Sequence, residues 1–117
     1  MLEEKGKELG RMIGQSPEYL ALKRSSEALN DDRDAVALLQ QMETLRGEAQ
    51  LLIQRGENPT PEMEQQLDTM LEKIQSQPVY QRAVSAQENF DKLMMRVNQW
   101  IMDGMKKGAA SPIITLS

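Results

Sequence analysis

Apolar side chains recur every three or four residues along most of the chain, which is the spacing of one face of an α-helix. The longest pattern lies between residues 78 and 107, where steps of four and three alternate and make a heptad seam. The seam consists of Val79, Ala83, Ala86, Phe90, Leu93, Val97 and Trp100. The pattern predicts one helix of about 30 residues, about 45 Å long, around which the rest of the chain is organised.

The same spacing predicts four further helices before the long one. Their predicted ranges are residues 2–13, a second helix that begins at Pro17, then 31–55 and 61–75. The third carries its own stripe with steps of three and four, namely Ala35, Leu38, Met42, Leu45, Ala49 and Leu52. We therefore expect an all-α fold, a five-helix antiparallel bundle with two long heptad-patterned helices.

Residues that commonly cap helices stand at the predicted ends. Ser16, Asn30 and Thr60 are the predicted N-caps of the second, third and fourth helices. Gly56 is the predicted stop of the third helix, and Gly108 that of the last. These ends predict a single helical domain over residues 1–107 and a short flexible C-terminal tail over residues 108–117.

The composition limits the chemistry that the chain can perform. Among its 117 residues there is no cysteine and no histidine, so it has no thiolate metal site and no cysteine or histidine for a nucleophile–base pair. A di-metal site of the helical-bundle type needs histidines as well. We expect no catalytic residue, no metal and no cofactor.

Charge and hydropathy indicate where the protein works. The first 12 residues are charged throughout, unlike a signal peptide. No apolar run approaches the roughly 18 residues that cross a bilayer. The net charge of −4 argues against direct binding to nucleic acid. We expect a cytoplasmic protein without membrane insertion.

The length of the last helix predicts an oligomer. Helices of 12–15 residues span only about 18–22 Å, and the third helix could cover about 37 Å of the 45 Å. The far end then needs a second chain or another protein to cover it. The predicted interface consists of Phe90, Leu93, Met94, Val97, Asn98, Trp100, Ile101 and Met105. For the methionines, core filling and an adaptable partner surface both remain open. Asn98 is either a register-fixing amide or a solvated side chain.

Several local motifs, taken in order, resemble the YlbF/YmcA family of small bacterial helical proteins. The matching residues are Leu9-Gly10, Ile13, Ser16, Glu18 and Tyr19, then Asp32, Ala35 and Gly56, and finally Pro78, Gln87, Phe90, Leu93, Val97-Asn98 and Ile101. The resemblance covers about residues 5–105. It consists of helix-packing motifs, which are specific mainly through their joint order.

The resemblance implies a cytoplasmic, non-enzymatic protein that forms homo-oligomers or hetero-oligomers with a family paralogue. Relatives act as regulatory partners in competence, sporulation and biofilm control. They work with a third protein and influence a membrane-bound endoribonuclease. Some relatives are associated with iron–sulfur clusters through cysteines, and this property does not carry over to a chain without cysteine.

Two functions are consistent with these features, and RNA binding ranks third because the chain is acidic and has few aromatic residues. The first is a regulatory adaptor that forms a helical oligomer and binds protein partners, including RNA-processing factors. The alternative is a holdase-like chaperone that uses an exposed, methionine-rich apolar surface.

Overall fold

The computed structural model describes residues 1–110 of the chain, and this part contains five α-helices and no strand. The helices are α1 (Leu2–Gly14), α2 (Pro17–Asp31), α3 (Arg33–Gln54), α4 (Pro61–Gln75) and α5 (Pro78–Ala110). The predicted all-α class and the five predicted helices are confirmed.

Two of the predicted N-caps form the expected hydrogen bonds. The Ser16 hydroxyl accepts a hydrogen bond from the backbone N–H of Tyr19 at 3.2 Å. The Thr60 hydroxyl accepts one from the N–H of Met63, also at 3.2 Å. A proline occupies the first turn of both helices, where its missing N–H removes no helical hydrogen bond.

The N-cap of α3 is Asp32, so the prediction of Asn30 was wrong. α2 continues through Asn30 to Asp31, and the chain becomes extended only at Asp32, with φ −85° and ψ 106°. Its carboxylate accepts a hydrogen bond from the N–H of Ala35 at 2.9 Å. One residue, Asp32, therefore separates α2 from α3.

The two predicted glycine stops behave differently. Gly56 has a φ of +80°, its N–H bonds the Ile53 carbonyl, and the N–H of Glu57 reaches back to the Leu52 carbonyl at 2.8 Å. This is the Schellman arrangement that glycine favours at a helix end. Gly108 does not end α5, which continues to Ala110, so this predicted stop was wrong. The remainder of the predicted tail, from residue 111 on, lies outside the described residues.

α5 packs along α2, whereas α3 packs along α4. Glu18, near the start of α2, pairs with Arg96, and Ser25 shares a groove with Ser85, so α2 runs antiparallel to α5. The expectation that α3 would cover α5 was wrong. α3 instead uses its stripe against α4, to which it is joined by the short loop of residues 55–60.

The most buried cluster lies where α3, α4 and the start of α5 meet. Ala35, Met42 and Ile74 form its centre, and both Ala35 and Ile74 are fully buried. Half-buried side chains surround it, namely Leu29, Leu38, Leu39, Met70, Val79 and Tyr80. This cluster fixes the first turn of α5 to the rest of the chain.

The molecule is elongated, with principal extents of 66 × 37 × 19 Å and a radius of gyration of 21.5 Å. A compact chain of this length has a radius of gyration of about 13 Å. α5 has 33 residues, which corresponds to about 50 Å. Its C-terminal end therefore lies far from the cluster that anchors its first turn.

Candidate functional site

The first half of α5 is covered by α2 of the same chain. The rings of Tyr19 and Phe90 meet edge to face, with centroids 5.7 Å apart. Glu18 and Arg96 form an ion pair at 3.5 Å, with the arginine side chain mostly in solvent. Val97 is only 4% exposed. The heptad seam of α5 is thus enclosed as far as Val97.

Beyond Val97 the seam continues without cover. Trp100 is 59% exposed, Ile101 44% and Met105 66%. Their positions, three, four and eight residues after Val97, place them on the face of the helix that α2 covers further back. We call these three residues the distal α5 surface. They are large apolar side chains in solvent on a rigid helix, which is the chemistry of a protein-binding surface.

The eight residues of the predicted interface fall into two groups. Phe90, Leu93 and Met94 are half-buried, and Val97 is buried within the chain itself. The other four are exposed, namely Asn98, Trp100, Ile101 and Met105. The first group contributes to the fold of one chain, and the second group is available to a partner.

Other exposed apolar side chains were not among the predicted interface residues. On α5 they are Met95, at 71%, and Met102, at 51%. On α1 they are Leu2, at 88%, and Met12, at 68%. α1 contains no buried residue, although its apolar residues repeat at helical spacing. The apolar stripe of α1 is thin, with only Leu2, Leu9, Met12 and Ile13 among its 13 residues, and this is a signal in the sequence that could have placed α1 on the surface.

In residues 1–110 no group of three or more acidic side chains lies close enough to hold a metal ion. The grooves between the helices are shallow and open, and the one between α3 and α4 is lined by amides such as Gln41 and Gln66 beside Met70. Across the described range, no helix is both long enough and apolar enough to cross a membrane.

Fold and surface together define a class: a small all-helical protein with a thin core and a long helix whose apolar face is only half covered. Residues 2–106 match the family model described as "Control of competence regulator ComK, YlbF/YmcA". The chain therefore belongs to the YlbF/YmcA family, as its motifs predicted.

Relatives and a solved structure agree with this assignment. A UPF0342 protein of Streptococcus mutans is 32% identical over 81 residues, covering 69% of this chain and 72% of the relative. A UPF0342 protein of Streptococcus gordonii is 27% identical over 96 residues, covering 82% of this chain and 86% of the relative. A "Protein of Unknown Function (DUF964)" from Bacillus stearothermophilus has the same fold, with a TM-score of 0.66 at 18% identity over 95% of this chain and 97% of that one. The family description links the chain to regulation.

Proposed function

We propose that this chain is a non-enzymatic regulatory adaptor of the bacterial cytoplasm that oligomerises through the distal α5 surface and, as an oligomer, binds other proteins. The observation that carries the proposal is the exposure of Trp100, 59%, beside Ile101 and Met105 on one helix face. The chain belongs to a family described by the control of a competence regulator, and this supports the proposed regulatory role. The family resemblance extends the proposal to partners in RNA processing and development.

Physical arguments favour a protein partner for this surface. Leaving a contiguous apolar patch in water is unfavourable, and such patches on soluble proteins commonly mark interaction sites. Tryptophan is over-represented among the residues that dominate binding energy. Because Trp100 lies on a backbone that is already helical, little backbone conformational entropy is lost when it binds a partner.

The charge distribution argues for proteins rather than nucleic acid as partners. The net charge is −4, and the two lysines near the distal α5 surface, Lys106 and Lys107, are partly offset by Asp103 and do not form a continuous basic patch. Binding to a phosphate backbone normally needs a continuous basic patch.

A holdase-like chaperone is the alternative, and the exposed methionines favour it. Met95, Met102 and Met105 are each more than half exposed on α5. Methionine side chains repack easily, so such a surface can accept many different apolar segments. An adaptor and a holdase differ in how many partners they hold and in whether those partners are folded.

A pull-down from the native cell separates these functions. The full chain, a Trp100→Ala variant and a matched Met95→Ala variant are used as baits. An adaptor retains a few partners at fixed stoichiometry, loses them with Trp100→Ala and keeps them with Met95→Ala. A broad set of unfolded clients that depends equally on both residues would instead favour the holdase. The absence of any partner that depends on Trp100 would contradict the proposed surface.

A further inference from the structure

We propose that the distal α5 surface is covered by α1 of a second copy of this chain, which lies antiparallel to α5 and is exchanged reciprocally within a dimer. The inference rests on the oligomer in the proposed function, and it names the segment that forms the interface. Three observations support it: the incompletely covered face of α1, the register in which α2 already packs, and the charges at the helix ends.

The first observation is that α1 has an apolar face that is incompletely covered within one chain. Leu2, Leu9 and Ile13 are separated by seven and four residues, so they lie on one side of the helix. Leu2 is 88% exposed, Leu9 and Ile13 are half-buried, and no residue of α1 is fully buried. The apolar stripe on α1 and the one at the end of α5 are thus only partly covered in a single chain.

The second observation is the register of α2 on α5. Glu18 lies beside Arg96 and Tyr19 beside Phe90 in antiparallel packing. If α1 of a second copy continues the line of α2 along α5 in the same antiparallel register, Leu9 lies opposite Ile101. An added helix would then continue the interface that α2 has already formed. Gly6 and Gly104 fall opposite each other in this register, and a Cβ built at either would meet nothing within 4 Å, which leaves room for close approach.

The third observation is electrostatic. α1 begins with Glu3 and Glu4, and α5 carries Lys106 and Lys107 near its end. An antiparallel arrangement brings this acidic first turn next to the basic last turns. Within α1, Lys5 pairs with Glu8 at 3.5 Å and Lys7 with Glu3 at 2.9 Å, so Glu3 is already matched inside the helix.

The junction between α1 and α2 explains why a second copy is required. The backbone N–H groups of Gln15 and Ser16 bond carbonyls in the last turn of α1, and the Ser16 hydroxyl donates to the Ile13 carbonyl. Within the chain α1 packs on α2, and the distal α5 surface stays exposed. These hydrogen bonds fix the end of α1, and in this arrangement α1 leaves the distal α5 surface of its own chain exposed. If each copy places its α1 on α5 of the other, both distal α5 surfaces are covered and the dimer has two-fold symmetry.

Disulfide trapping tests the inference directly, because the chain has no cysteine of its own. A full-length Leu9→Cys variant is mixed with a full-length Ile101→Cys variant under mild oxidation, and each variant is also oxidised alone. An Arg11→Cys variant, with its cysteine on the side of α1 opposite Leu9, is the matched control. Circular dichroism checks that each variant is folded.

We expect the Leu9→Cys and Ile101→Cys mixture to give a covalent heterodimer in several-fold higher yield than the mixture of Arg11→Cys with Ile101→Cys. A wild-type oligomer without this preference, or a disulfide that forms only within a Leu9→Cys/Ile101→Cys double variant, would overturn the inference and leave the proposed oligomer intact. A monomeric wild-type chain would overturn both.

Discussion

The ring of Tyr19 in α2 meets the ring of Phe90 in α5 edge to face, at an interplanar angle of 60°. The pair joins two helices that are far apart in sequence. It lies in the covered part of α5, about two turns before Val97. The contact marks the part of the long helix that belongs to the fold of one chain.

The first prediction concerns this pair. Phe90→Ala should lower the free energy of unfolding by about 2 kcal/mol, less than for a fully buried phenylalanine because Phe90 is only half-buried. A double-mutant cycle with Tyr19→Leu should give a coupling of about 0.5–1.5 kcal/mol. Urea unfolding followed by circular dichroism at fixed protein concentration measures both. Met95→Ala on the same helix should change stability by less than about 0.5 kcal/mol.

The second prediction tests the cap of α3. Asp32→Ala should cost about 1 kcal/mol, because the N–H of Ala35 loses its acceptor. Asn30→Ala should be nearly neutral, since Asn30 is exposed within α2. Thermal unfolding of the two variants compares them. Equal losses, or a larger loss for Asn30→Ala, would mean that α3 starts where the sequence alone suggested.

The third prediction uses two glycines with opposite roles. Gly56 has a φ of +80°, so Gly56→Ala should destabilise the chain by about 1–2 kcal/mol. Gly47 lies in the middle of α3 with nothing within 4 Å of an added Cβ, so Gly47→Ala should stabilise it by about 0.5–1 kcal/mol. Chemical denaturation gives both values. Two changes of the same sign would contradict the assigned backbone conformations.

A fourth prediction contrasts two isoleucines. Ile74 is fully buried at the junction of α3, α4 and α5, so Ile74→Ala should cost about 2–5 kcal/mol. Ile53 is 54% exposed near the end of α3, so Ile53→Ala should cost about 0.5 kcal/mol. The comparison is made by equilibrium unfolding of both variants. Similar losses would show that the small core does not hold the chain together at this junction.

The sequence predicted the number of helices and most of their ends because those features are encoded locally. Ser16 and Thr60 each stand directly before a proline and an acidic residue, and this combination favours a helix start strongly. Gly56 ends a long periodic stretch just before the Asn58–Thr60 segment. The error at Asn30 has a local cause too. Asn30 and Asp32 both have side chains that can cap a helix, and only the backbone shows which of them leaves the helical conformation.

The pairing of the helices was not predictable in the same way. Periodicity shows that α3 and α5 each have an apolar stripe, but it does not say which stripe faces which. The length of α3 favoured it as the cover of α5, yet the short loop before α4 brings α4 onto α3 first. α2 is shorter, and it therefore leaves the end of α5 uncovered. Because α2 is too short to reach the end of α5, four of the predicted interface residues, including Trp100, remain exposed.

The central claim is that the distal α5 surface holds copies of this chain together, and sedimentation velocity across a concentration series tests it most directly. The wild-type chain should sediment as a dimer or larger species at high micromolar concentration. Trp100→Ala should shift the assembly toward monomer, with a dissociation constant raised about 30-fold for a loss of about 2 kcal/mol, while its helical content stays unchanged. A wild-type chain that remains monomeric throughout, or a Trp100→Ala variant that unfolds without first dissociating, would contradict the claim.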